Sequence, residues 1–133
     1  MNAFLAGLNP AQREAVAHTE GPLLILAGAG SGKTRVVTHR VANLLRHGVA
    51  ARQIVALTFT NKAAEEMRSR LEVLAPGGGV WMSTFHRFCA RLLRQHAATV
   101  GLDENFTIYD TSDSRQVLRR TLDQLELDTT LYT

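Results

Sequence analysis

With 133 residues, of which 45% are hydrophobic and 20% charged, the chain has the length and composition of one globular domain and is not a disordered segment. Its single cysteine, Cys89, excludes an internal disulfide framework; it opens without a basic-then-apolar leader and has no apolar run near the ~18 residues of a membrane span, so a cytoplasmic protein with no membrane partner is expected. The net charge of +3 is mild but unevenly placed: from Arg35 to Arg94, Arg35, Arg40, Arg46, Arg52, Lys62, Arg68, Arg70, Arg87, Arg91 and Arg94 face only Glu65, Glu66 and Glu72. Taken together they would attract polyanions, although each taken singly reads as part of a solvated helix face.

Along the chain, Asn9 followed by Pro10 reads as the N-cap and first residue of a helix that runs to about His18 and stops before Gly21-Pro22. The apolar run Leu23-Leu24-Ile25-Leu26, closing at Ala27, predicts a first strand. After a glycine-rich loop, Val36, Val37, Arg40, Val41, Leu44 and Leu45 follow helical spacing, with Gly48 placed to end the helix. Ile54 to Leu57 is wholly apolar and suits a second, buried parallel strand. Asn61 can cap a helix whose Ala64, Met67, Leu71 and Leu74 form one face, ended by Pro76 and three glycines. Val80 to Ser83 predicts a third strand, and Phe85, Phe88, Cys89, Leu92 and Leu93 the buried stripe of the next helix. Phe106 to Tyr109 suits a short strand, after which Ser112 or Asp113 opens a helix carrying Val117, Leu118, Leu122 and Leu125 on one face. This alternation implies an α/β fold with a parallel sheet, helices on both faces, and ligands at the carboxyl ends of the strands.

The loop between the first strand and its helix carries the most chemistry. Ala27-Gly28-Ala29-Gly30-Ser31-Gly32-Lys33-Thr34 places a phosphate-cradling loop where a helix begins. The glycines let consecutive backbone N–H groups converge on phosphate oxygens, and the helix N-terminus adds free donors and the positive end of its dipole. Lys33 can then reach the β- and γ-phosphates, and the Thr34 hydroxyl can ligate a Mg²⁺ that touches the same oxygens. Ala27 stands where the usual pattern has glycine. Nucleotide phosphate binding is the expected activity of this segment.

Three further segments accompany it: Leu8-Asn9-Pro10-Ala11-Gln12, Leu57-Thr58-Phe59-Thr60-Asn61-Lys62-Ala63-Ala64-Glu65-Glu66-Met67, and Ser83-Thr84-Phe85-His86. In this order and at these spacings they resemble the UvrD, PcrA and Rep helicases of superfamily 1, over roughly residues 8 to 128. These helicases commonly carry Ala-x-x-Gly-x-Gly-Lys-Thr, which accounts for Ala27. The resemblance implies ATP and Mg²⁺ as cofactors, single-stranded DNA as partner, and ATP hydrolysis driving 3′–5′ movement in DNA repair. On the nucleotide side it implicates Gln12, the loop from Ala27 to Thr34, and Arg35. Read from the residues alone, Gln12 is equally suited to close a capping box with Asn9 and to read an adenine edge, for which an amide offers a donor beside an acceptor. Arg35 can contact nucleotide or face solvent. On the DNA side the resemblance implicates Phe59, Thr60, Asn61, Lys62, Thr84, Phe85 and His86. The chemistry agrees, because aromatic rings stack on any base while hydroxyl, amide and ammonium groups hold phosphates. His86, mostly neutral at pH 7 if unperturbed, suits hydrogen bonding or stacking.

Hydrolysis by a P-loop enzyme usually needs an apolar strand ending in Asp-Glu, and no such run occurs: Asp103-Glu104 follows Gly101-Leu102, while Asp123 and Glu126 lie in an amphipathic helix. The expectation is the N-terminal piece of a longer helicase. Residues 1–107 would begin its RecA-like ATP-binding domain, and residues 108–133 an inserted helical subdomain. Both parts would be incomplete, leaving apolar sheet edges exposed. Two other readings remain: a self-contained P-loop kinase or transferase, which would need its own acidic Mg²⁺ ligand and a lid, and a DNA-binding module without ATP turnover.

Overall fold

In the computed structural model, which describes residues 3–127, the second and third apolar runs become strands β1 (Val55–Thr58) and β2 (Trp81–Thr84). They pair in parallel, Val55 opposite Trp81 and Thr58 opposite Thr84, each strand beginning one residue later than the sequence pattern places it. Helices α1 (Pro10–Ala17) and α2 (Lys33–Arg46) precede them, α3 (Asn61–Leu74) connects them, and α4 (Phe85–Gln95) and α5 (Thr111–Gln124) follow. Two units cluster along the chain, Met1–Arg91 and Leu92–Thr133. No helix among the described residues is long and apolar enough to cross a membrane.

The core of the first unit lies where the sheet meets α2 and α3. Ala56 and Met82, opposite one another in the ladder, are buried with Val41 and Ala42 of α2, Met67 and Leu71 of α3, and Ile54. The predicted apolar face of α3 is thus the face it buries. On the other side of β2, Trp81 meets Phe88 of α4 at 5.3 Å between ring centroids, and the Arg91 guanidinium lies 4.5 Å from the Trp81 ring centre. A second small cluster of Leu8, Val16 and Val36 joins α1 to α2. Gly48 stops α2 as expected: at φ +85° its N–H reaches Leu45 O and that of Val49 reaches Leu44 O, both at 3.1 Å, which satisfies carbonyls left open at the helix end.

Several expectations are corrected. Leu23 to Ala27 is not a strand: no strand runs alongside it among the described residues, and Leu24 and Leu26 are 82% and 87% exposed. An apolar run becomes a strand only where a ladder partner takes up its N–H and C=O groups, and β1 and β2 pair with each other. Phe106 to Tyr109 is likewise unpaired, with Ile108 and Tyr109 exposed. The stripe Phe85, Phe88, Cys89, Leu92 and Leu93 on α4 contains no buried residue: its rings meet other rings, Phe88 against Trp81 and Phe85 against Phe59, without being enclosed. Val117 and Leu118 of α5, and Leu125 at its C-cap, are exposed as well. Caps also shift: Thr60 rather than Asn61 caps α3, its extended backbone letting Oγ1 accept the Ala63 N–H at 3.1 Å, and Asp110 rather than Ser112 or Asp113 caps α5.

Candidate functional site

Helices α1, α3 and α5 each begin under a side-chain cap, from Asn9, Thr60 and Asp110. Helix α2 begins differently. Its N-cap is Gly32, in the left-handed region at φ +88°, with no side-chain hydrogen bond to the first turn. The opening N–H groups of α2 therefore face the glycine-rich loop, where an anion would meet both the free donors and the positive end of the dipole. Lys33 lies at this opening and its ammonium donates to Ala27 O at 3.0 Å and Gly28 O at 2.7 Å. The ion pairs among the described residues, Arg68–Glu65 and Arg70–Glu66, lie on α3, so no carboxylate neutralises Lys33 there. Gly28 O also accepts the Ser31 hydroxyl at 2.6 Å, which with Lys33 folds the loop over its own carbonyls. Ala29 and Gly30 form its exposed tip.

Thr34 follows in the first turn of α2, and no group of three or more His, Cys, Asp or Glu among the described residues could hold a metal ion. A lone hydroxyl fits Mg²⁺, an ion that keeps most of its waters and takes phosphate oxygens when it joins a nucleotide. The fit is therefore to Mg²⁺ carried with phosphates and not to a metal held by the described residues alone.

Gln12 performs the capping role in full: its Oε1 accepts the Asn9 N–H at 3.0 Å while Asn9 Oδ1 accepts the Gln12 N–H at 2.8 Å. Its Nε2 also donates to Ser31 O at 3.0 Å, tying α1 to the glycine-rich loop. Arg35 is exposed, and its guanidinium covers the backbone of Gly7, where a Cβ would come within 2.8 Å of Nη2. Residues that the sequence pattern did not single out hold the other end of α1. Arg40 Nη1 donates to Ala15 O at 3.0 Å and to His18 O, and Asn43 Nδ2 donates to Val16 O at 3.1 Å. Spacing marks Arg40 only as a position on α2, and its capture of carbonyls exists only once two helices pack.

At the other candidate site, register does the positioning. Because Thr58 pairs with Thr84, the next residues, Phe59 and Phe85, emerge side by side at the carboxyl ends of β1 and β2. Their rings stand 5.2 Å apart at 38°, Phe59 84% and Phe85 43% exposed. Asn61, Lys62 and His86 are exposed around them, and Lys62 makes no ion pair among the described residues. Thr60 and Thr84 differ from these. The Thr60 hydroxyl caps α3, and Thr84 is buried with its Oγ1 accepting the Arg87 N–H at 3.3 Å. Two solvent-facing aromatic rings in contact, flanked by an unpaired cation, form a surface that stacking on a planar base would cover.

Residues 8–133 match the UvrD/REP helicase N-terminal domain. The chain belongs to this family. It is 53% identical over 131 residues to the ATP-dependent DNA helicase PcrA of Bacillus subtilis, 51% to that of Staphylococcus epidermidis and 50% to that of Staphylococcus aureus. In each comparison the match covers 96% of this chain and 18% of the relative, so the chain spans less than a fifth of the helicases it matches.

Proposed function

We propose that this chain is the nucleotide-binding and single-strand DNA-contacting part of an ATP-dependent DNA helicase that moves 3′–5′ on its strand. The observation that carries the reading is the uncapped start of α2, where a glycine loop, open N–H groups and an unneutralised Lys33 converge. Residues 1–107 belong in this reading to the nucleotide-binding domain and residues 108–133 to an inserted helical subdomain.

Lys33 exchanges its two neutral carbonyl partners for charged phosphate oxygens, a stronger class of hydrogen bond. Ala27 to Gly32 release their carbonyl-bound form and turn N–H groups toward the same oxygens, and the Thr34 hydroxyl is the protein's ligand to Mg²⁺. That ion, when bound, neutralises phosphate charge. The capping and adenine roles of Gln12 coexist. An amide carries two N–H groups and two oxygen lone pairs; Ser31 O takes one N–H and the Asn9 N–H takes one lone pair, which leaves one of each. Those two fit the N7 acceptor and N6 donor of adenine. Arg35 lines the approach beside them. Phe59 and Phe85 stack on bases, Asn61, Lys62 and His86 hold the strand, and Thr60 and Thr84 fix the helix starts that present them.

The test is Lys33→Ala in the complete parent enzyme, with DNA-stimulated phosphate release and nucleotide binding measured beside a melting curve. Turnover falls by roughly 10²-fold or more, the scale for losing one preorganised charge partner at a reacting group, while melting is unchanged. Turnover near wild type in a folded variant would overturn the assignment.

A further inference from the structure

We infer that Arg40 and Asn43 are positioning residues for base recognition: by holding the C-terminal carbonyls of α1 they fix the rotation and depth of that helix, and so where Gln12 presents its free amide groups. The inference rests on the adenine role of Gln12 and adds residues that touch no nucleotide.

Helix α1 has only 8 residues, well under the length of ~12–15 at which an isolated helix begins to hold in water, so its placement comes from what it is packed and bonded to. The apolar contribution is small: Val16 and the preceding Leu8 pack on Val36, with Phe4, Leu5 and Ala15 partly buried against them. So small a cluster can hold a short helix against a neighbour without setting its rotation, and turning it by one residue moves every side chain through roughly 100°. The polar contacts supply what packing lacks. Arg40 spans Ala15 O and His18 O, and Asn43 takes Val16 O. These are carbonyls that the last turn of a helix leaves open, and a guanidinium there also meets the negative end of the dipole. At the opposite end Gln12 meets the phosphate loop through Ser31 O.

Both fixed points refer to α2. That helix starts at Lys33, in the phosphate loop, and carries Arg40 and Asn43 farther along its length. Phosphate loop and base-reading amide are thereby gauged against one rigid element, α2. Guanine presents an acceptor, O6, where adenine presents its N6 donor. An amide held with its oxygen outward on that side accepts from adenine and repels guanine; an amide free to swing or turn over accepts both. The clamp at Ala15 to His18 consequently acts on the choice between bases more than on phosphate affinity.

The experiment uses the complete parent enzyme and compares kcat/KM for ATP and GTP in wild type, Gln12→Ala, Arg40→Met, Asn43→Ala and the doubles with Gln12→Ala, each with a melting curve. Asn43→Ala removes one hydrogen bond only, which keeps the test open should Arg40→Met unfold. The expected result is a roughly tenfold fall in the preference for ATP in Arg40→Met, smaller in Asn43→Ala, seen in KM more than in kcat, with no further fall in the Gln12→Ala background. If Gln12→Ala abolishes the preference while Arg40→Met and Asn43→Ala keep it, the positioning role is overturned and the adenine role stands. If the clamp variants lower the preference equally with and without Gln12, they do not act through it and the inference is likewise overturned. If Gln12→Ala leaves the preference intact, the adenine role itself falls and the inference with it.

Discussion

At Gly32 two constraints meet in one residue. Its φ of +88° lies where an L side chain is strained, and a Cβ there would approach Gln12 Nε2 to 2.9 Å. Gly32→Ala is therefore expected to cost about 1–2 kcal/mol through the left-handed backbone alone and to displace the Gln12 amide from Ser31 O. Thermal melting reads the first effect and nucleotide titration the second; an unchanged melting temperature would show that the loop adopts another backbone conformation. Phe59 predicts the reverse pattern. With 84% of its surface exposed, Phe59→Ala leaves stability within about 0.5 kcal/mol, yet it costs about 1–3 kcal/mol of single-strand DNA affinity through lost stacking. Titrating labelled oligonucleotide at fixed salt on the complete enzyme checks this, and undiminished affinity would remove Phe59 from the DNA contact.

At the scale of elements, what was legible in the sequence is what local chemistry decides. Asn9 with Pro10 and Gln12 specifies the start of α1, Gly48 the end of α2, and the spacing of Ala64, Met67 and Leu71 the buried face of α3, because caps and periodicity act within one or two turns. The strand at Leu23 to Ala27 and the stripe on α4 were misread because their fate depends on partners remote in sequence. The same distinction separates the candidate sites: the glycine-rich loop is a contiguous motif, whereas the Phe59–Phe85 pair requires the register of β1 on β2, and the Arg40 clamp the packing of α2 on α1. The cap of α3 falls one residue before the expected Asn61, on Thr60, whose backbone is extended beside the helical Asn61. The cap of α5 carries a pH prediction. N–H groups of Asp113 and Ser112 donate to the Asp110 carboxylate and hold its pKa below the ordinary value. The folded pKa is depressed, so this contribution is complete above the unfolded value and is lost as pH falls through the folded one. Helical ellipticity is expected to fall in that acid window in wild type, and to a smaller extent in Asp110→Asn, whose amide oxygen caps without titrating. Superimposable acid titrations of the two by circular dichroism would remove Asp110 as the source.

For the molecule as a whole, the exposed run ahead of the glycine-rich loop dominates. Leu24 and Leu26 are 82% and 87% exposed, and the run borders a groove with Ala11, Glu14 and Ala15 of α1 and its C-cap His18. A segment apolar at every position from Leu23 to Leu26 has the composition of a strand covered on both faces, and here its N–H and C=O groups find no ladder. Apolar side chains beside unpaired backbone form a template for another chain, so the 133-residue chain is expected to associate as its concentration rises. Replacing both leucines, Leu24→Lys with Leu26→Lys, places charge on that template without opening a cavity, because neither side chain is packed. Sedimentation over a concentration series is expected to show the wild-type chain shifting to larger species and the double variant holding its smallest one. Melting temperatures measured at low concentration should agree, since exposed substitutions change stability by no more than about 0.5 kcal/mol. Association that persists in the double variant would place the adhesive surface elsewhere, with the exposed stripes of α4 and α5 next to be tested. A lowered melting temperature would show that the run is packed in solution.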